Sequence, residues 1–313
     1  MSRCPLVSFI VVAYKQERFV REAVRSALAQ TYEPLEILLS DDCSPDRTFE
    51  IMKEEAGSYS GPHRLVLNQN QSNLGLAGHL NLAFGMAKGD VFVMQGGDDR
   101  SLPERTSELL RARSDQPAPP DLICSHVREL REDGSPSGVI WKDVTRNTSL
   151  KEAISGGSCV ALGATAAYSR TLFDKYGPID GHVLMEDWVL SFRALLEGGV
   201  LLVEQPLVDY RIHNDSISSK LQFRSCARHG DPRRRRRAEG ELAAARQWLH
   251  DWDISKRCDA GMREAIVRNV AWKELEVEAC GTSRFRLPIV AVKALFRGHS
   301  LRRAVGLVQR HAV

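Results

Sequence analysis

Three clusters of acidic side chains in this 313-residue chain are placed where carboxylate chemistry is feasible. The first lies in GDVFVMQGGDDR, Gly89–Arg100. The apolar run Val91–Met94 ends in Gln95-Gly96-Gly97, and two adjacent carboxylates follow, Asp98 and Asp99. A buried strand that ends in glycine and then presents acids describes the carboxyl end of a sheet, where open α/β sheets bind ligands. Two carboxylates with no cation before Arg100 suit a hard divalent ion with oxygen ligands. The competing reading is that Asp98 and Asp99 cap a helix beginning near Pro103. The second cluster, Asp41-Asp42, ends another apolar run. The third, Glu186-Asp187, opens a helical stripe of Trp188, Phe192, Leu195 and Leu196. His213 and Arg211 follow a strand-like segment downstream. His213 reads as a metal or diphosphate contact or as a structural histidine, and Arg211 as a partner for phosphate or for an internal carboxylate.

The elements that must position these groups alternate in type. Leu6–Ala13 is nearly all apolar and β-branched, as a strand covered on both faces should be. Val20, Val24, Ala27 and Leu28 recur at helical spacing. Strands over Leu35–Leu39, Leu65–Leu67 and Val91–Met94 are separated by helices opening near Ser44-Pro45 and carrying Leu76, Leu80, Ala83 and Ala87. This alternation predicts a doubly wound, mostly parallel α/β sheet, with both acidic pairs at one edge. Further strands are expected at Asp121–Ser125, Val200–Glu204 and Leu207–Tyr210. The expected organisation is a catalytic domain over 1–219, a basic connector over 220–238 that holds the run Arg233–Arg237, and a helical C-terminal appendage over 239–313.

Composition narrows the function classes. The 43% apolar and 27% charged fractions fit an ordinary globular chain, and a net charge of +3 names no partner. Seven scattered cysteines form no Cys-x-x-Cys pair, which argues against zinc and a disulfide framework and for a reducing, cytoplasmic compartment. No secretory leader is read at the N-terminus, and no segment reaches the ~20 apolar residues a membrane helix needs. The arginine run lacks interleaved aromatics, so nucleic acid is not expected as a partner. From Arg284 onward there are seven basic residues and no acid, around apolar stripes of Ile289, Val292 and Leu295 and of Leu301, Ala304, Val305 and Val308. Such helices either lie on an anionic membrane surface or pack on the protein itself.

Taken in order, VSFIVVAYKQERFV, SDDCSPDRT, NLGLAGHLNLAFGMAKGD, QGGDD, MEDWVL and YRIHNDSIS resemble the bacterial inverting glycosyltransferases of family 2, across roughly Pro5–Ser219. The resemblance implies a GT-A type fold and a nucleotide-diphosphate sugar donor, UDP- or dTDP-linked. It implies a Mn2+ or Mg2+ cofactor and an acceptor glycan or lipid-linked glycan in surface polysaccharide or glycolipid assembly. It assigns nucleobase stacking to Tyr14, base reading to Asp42, a ribose contact to Asp98, metal ligation to Asp99 and His213, a phosphate contact to Arg211 and the catalytic base to Asp187. The chain departs from the family at Gly96, where an extra acid is common, at Leu80, where many members carry arginine before Asn81, and at Lys15. A nucleotidyltransferase is disfavoured because Tyr14-Lys15-Gln16-Glu17 has no glycine to cradle a triphosphate. A non-catalytic sugar-binding module is disfavoured because it has no use for Asp187. No Gly-x-Gly-x-x-Gly opens the first helix, which removes a nicotinamide site.

Overall fold

The structure, a computed structural model, describes residues 4–141, 149–156, 161–214, 216, 231–282 and 286–312. Its sheet begins with the strands the alternation predicts: β1 (Val7–Ala13), β2 (Leu35–Asp41), β3 (Arg64–Gln69) and β4 (Val91–Gly96). They run parallel in the order β3-β2-β1-β4. Every residue of β2, and all but one of β1, is buried, because helices cover both faces. These helices are α1 (Val20–Leu28), α2 (Thr48–Gly57) and α3 (Gly75–Met86). The register places Ala13 opposite Asp41 and Val12 opposite Gly96, so both acidic pairs leave the sheet beside the end of β1.

Beyond β4 the sheet becomes mixed. The remaining strands are β5 (Arg100–Ser101), β6 (Leu122–Leu130), β7 (Pro136–Trp141), β8 (Ala167–Ser169) and β9 (Val200–Arg211). β8 lies antiparallel between β4 and β6, while β9 runs parallel to β6 and antiparallel to β5. β9 is continuous where two short strands were expected: the bulge beside Ser125 and His126 absorbs the irregularity around Pro206. The helices of this half are α4 (Arg105–Ser114), α5 (Leu150–Gly156), α6 (Arg170–Tyr176) and α7 (Glu186–Glu197).

The C-terminal helices are α8 (Pro232–Ser255), α9 (Ala260–Gly281), α10 (Leu287–Phe296) and α11 (Leu301–Ala312). Residues 220–230 of the expected connector lie outside the described residues. The arginine run itself is helical from Pro232, because Asp231 accepts the Arg233 amide at 2.8 Å and proline starts the first turn. Within that turn and the next, Arg235 pairs with Glu239 and Arg237 with Glu241, each four residues on.

α8 is built into the body. Trp248 stacks on Phe192 of α7 with ring centroids 4.8 Å apart, and its indole N–H donates to the Trp188 carbonyl at 3.2 Å. Gly240 touches Leu184 so closely that a Cβ there would stand 2.6 Å from Leu184 Cγ. Between these helices a fully buried ion pair joins Arg193 Nε to Asp251 Oδ2 at 2.7 Å. Gln247 Nε2 donates to Asp251 Oδ1, and Arg193 Nη1 to the Gly177 carbonyl, so both charges are saturated. Asp251→Ala strands the Arg193 charge and is expected to destabilise the protein by about 3–5 kcal/mol in urea unfolding. A change below ~1 kcal/mol would mean that α8 does not depend on this pair.

Candidate active site

The turn Gly96–Asp99 exists because two glycines permit it. Gly97 donates its amide to the Val12 carbonyl at 2.9 Å, which brings the backbone so close to β1 that a Cβ would lie 2.6 Å from Ala13 Cβ. A Cβ at Gly96 would fall 2.7 Å from Asp98 Oδ1 and 3.1 Å from Asp99 Oδ2. The two carboxylates therefore occupy the space that a side chain at this position would need. Neither caps a helix: α4 begins six residues later, with Glu104 before its first turn.

The two acids have different surroundings. Asp99 is 2% exposed and its Oδ1 accepts the Arg211 backbone amide at 2.9 Å. Burial and then repulsion from Asp98 hold the Asp99 carboxyl well above the ordinary range, against the pull of the Arg211 amide and of Arg105. Asp98 Oδ2 instead accepts from His213 Nε2 at 2.9 Å. The His213 ring rests on Phe19 at 4.7 Å between centroids. The structure thus brings His213 to Asp98, and it leaves Asp99 as the carboxylate that binds the end of β9.

Arg211 is 1% exposed, and each of its donor groups meets an internal acceptor. Nε donates to the Asp98 carbonyl at 2.9 Å, Nη1 to the Glu132 carbonyl at 3.1 Å and Nη2 to Glu22 Oε2 at 2.9 Å. Its guanidinium lies 4.9 Å over Phe19. These contacts match the internal-carboxylate reading of Arg211, whose planar fork ties the acidic turn to α1 and to the β6–β7 hairpin.

The acidic pair at the end of β2 divides its work in the same way. Asp41 holds the loop that follows, with Oδ2 accepting the Ser44 amide at 2.9 Å. Asp42 accepts Asn70 Nδ2 at 2.7 Å and the Leu74 amide at 2.9 Å, both through Oδ1. Helix α2 itself starts at Thr48, later than Ser44-Pro45 suggests, because Asp46 accepts the Thr48 amide. Tyr14 is 40% exposed beside this edge. Asn81, in the third resemblance motif, bridges Ile179 reciprocally, donating to its carbonyl at 2.7 Å and accepting its amide at 2.8 Å. That bridge fixes the segment leading into α7.

Glu186 and Asp187 begin α7 and face a single 3₁₀ turn, Gly163–Thr165. A Cβ at Gly163 would sit 2.8 Å from Glu186 Oε1 and 3.5 Å from Asp187 Cβ. The same turn is tied to β4: the Met94 amide donates to the Ala166 carbonyl at 3.0 Å, and Arg105 donates to the carbonyls of both Met94 and Ala164. Arg105 is fully buried, which lowers its pKa to about 9 against the pull of Asp99. Sequence reading missed Arg105, Phe19 and Glu22. A charged residue between Leu102 and the apolar positions Leu109 and Leu110 was the available signal for Arg105. His79 was missed as well; it is hydrogen-bonded to Ser40 at 2.6 Å, and burial lowers its pKa against the opposing charges of Asp42 and Asp41.

The sheet is an α/β GT-A type, with the acidic pairs Asp41-Asp42 and Asp98-Asp99 at the carboxyl ends of β2 and β4, beside the end of β1. Residues 8–177, more than half of the chain, match glycosyl transferase family 2. The chain belongs to that family. It is 42% identical over 105 residues to EpsE of Bacillus subtilis, provisionally named a glycosyltransferase; the match covers 34% of this chain and 37% of EpsE. To an uncharacterized glycosyltransferase of Haemophilus influenzae it is 28% identical over 231 residues, 70% of this chain and 69% of the relative. Among solved structures it resembles TarS 1–349 of S. aureus in complex with UDP-GlcNAc, with a TM-score of 0.65 at 15% identity over 98% of this chain and 89% of TarS 1–349. It also resembles the mannosyltransferase PcManGT of Pyrobaculum calidifontis in complex with GDP-Man and Mn2+, with a TM-score of 0.55 at 15% identity over 99% of this chain and 87% of that one.

Burial, followed by repulsion from Asp187, pushes the Glu186 carboxyl up to about 8. Its folded pKa lies above its unfolded value, so folding favours the protonated form, and stability falls as pH rises from about 4.5 towards 8. Glu186→Gln removes that penalty. The melting-temperature difference, variant minus wild type, should widen over this window and reach at least ~2 °C by the alkaline end. A gap that stays constant with pH would show that Glu186 ionises normally.

Proposed function

We propose that the chain transfers a sugar with inversion from a nucleoside-diphosphate sugar, UDP- or dTDP-linked, to an acceptor hydroxyl. Surface polysaccharide or glycolipid assembly is the setting proposed, with the acceptor lipid-linked and presented at the inner face of a membrane. The observation that carries the reading is the convergence of Asp42, Asp98 and His213 on the carboxyl ends of β2, β4 and β9. TarS with UDP-GlcNAc and PcManGT with GDP-Man and Mn2+ support a nucleotide-sugar donor and a divalent ion.

Asp42 accepts the N3–H that uracil and thymine share, and Tyr14 stacks on that base. Asp98 and His213 are the donors for Mn2+ or Mg2+. Among the described residues no three His, Cys, Asp or Glu side chains form a cage. Two protein donors nevertheless fit ions of this kind, which take the rest of their shell from water and substrate phosphates. When bound, the ion would supply positive charge to the departing diphosphate. The acceptor oxygen forms its bond to the anomeric carbon as the bond to the diphosphate oxygen breaks. The acceptor proton passes to Asp187. Burial and repulsion from Asp187 push the carboxyl of the neighbouring Glu186 up. Gly163 leaves room for the Glu186 carboxyl beside it.

Two variants separate the acids of the turn. Asp98→Ala should abolish manganese-dependent binding of UDP or dTDP in calorimetry. Asp99→Asn keeps an acceptor for the Arg211 amide and should bind within ~threefold of wild type, a change below 1 kcal/mol. The opposite pattern would return the metal to Asp99. For the base, Asp187→Asn should retain donor binding while transfer falls ~10²-fold or more. Near-normal turnover of that variant removes Asp187 from the mechanism.

A further inference from the structure

The hairpin of α10 and α11 carries two apolar sets. Leu287, Val290, Ala294, Ala304 and Leu307 are buried with Trp272, Leu275 and Ala279 of α9. A second set remains in solvent: Ile289, Val292, Leu295, Phe296, Leu301 and Val305, from 41% exposed at Leu295 to 88% at Phe296. The turn between the helices, with Gly298 at φ +78°, leaves Phe296 and Leu301 at the same end of the hairpin. Six large apolar side chains exposed on one short hairpin are more than a soluble surface needs, and such patches mark interaction sites.

The charge around this face has one sign. From Arg286 to Ala312 there are six lysines and arginines and no acid. Four of these cations help hold the hairpin to α9. Lys293 pairs with Glu278, Arg297 with Glu274 at 3.2 Å and Arg310 with Glu276 at 3.4 Å, while Arg303 lies 4.3 Å over Trp272. The three ion-paired side chains still keep 43–54% of their area in water, and Arg286 and Arg302 are exposed. One apolar set therefore packs on the protein, as one of the two sequence expectations had it, and the other has no cover among the described residues.

We propose that the second face seats on an anionic lipid bilayer. A second copy of the chain would set two acid-free cationic hairpins against each other, at a cost in repulsion. Anionic headgroups instead meet the cations, while Phe296, Leu301 and Ile289 enter the boundary below them and the arginine stems extend outward. The inference deepens the proposed membrane setting and rests on it.

Co-sedimentation of the full chain tests this, using vesicles of phosphatidylcholine alone or mixed equally with phosphatidylglycerol. Wild type should pellet with the mixed vesicles at low salt, remain in solution with phosphatidylcholine alone, and be released from the mixed vesicles at high salt. Phe296→Ser with Leu301→Ser should abolish pelleting with an unchanged melting temperature, since both side chains already stand in water. Arg302→Glu should weaken binding at least ~fivefold, the equivalent of ~1 kcal/mol for one cation near the surface. Wild type left in the supernatant with mixed vesicles overturns the proposal, as does a serine variant that pellets normally. Lipid-free dimerisation abolished by the serine pair assigns the face to a second copy and also overturns it. Transfer to a soluble acceptor should be unchanged in the serine variant. Vesicle binding without transfer in wild type would count against the enzymatic reading and leave the lipid face standing.

Discussion

The turn Gly96–Asp99 places carboxylates on consecutive residues, and two such charges cannot both lose water without donors or cations nearby. The fold separates them. Asp99 turns inward to the Arg211 amide with Arg105 in its field, and Asp98 turns toward His213. Arg211 supplies both sides of this division, through its backbone N–H on Asp99 and its guanidinium on the Asp98 carbonyl. The end of β9, the entry to α1 at Phe19 and the β6–β7 hairpin are assembled around that arginine. A lysine could not replace it, because one ammonium on a flexible stem cannot hold three separate acceptors in a plane.

The second half of the site is held mechanically. Glu186 and Asp187 sit at the start of α7, far along the chain from β4. Arg105 bridges β4 to the Ala164 carbonyl, and the 3₁₀ turn carried there meets the two acids. On the other side, α8 grips α7 through Trp248 and the Arg193–Asp251 pair. Helix α8 therefore belongs to the support of the acidic pair. Saturated hydrogen bonding at Arg193 and Asp251 makes a buried charge pair tolerable there.

The sequence by itself determined the parallel half of the sheet, the edge at which its acids gather and the family. These are set locally: apolar runs of strand length, helical spacing between them and glycine before acid follow from each segment's own periodicity and turn chemistry. It also marked Tyr14, Asp42, Asp98, Asp99, Asp187, Arg211 and His213 as a group, through resemblance. Only the tertiary structure decided which acid meets which partner. Asp98 and Asp99 are chemically identical in sequence, and they separate because β9, more than a hundred residues away, brings one amide and one imidazole to different oxygens. Arg211 reads equally well as a phosphate ligand or an internal clamp until Glu22, Glu132 and Phe19 surround it. The same holds for the C-terminal cations, whose pairing with Glu274, Glu276 and Glu278 depends on how α10 and α11 lie against α9. Long-range partners of this kind leave no period in the sequence, because the packing of distant segments, not local propensity, selects them.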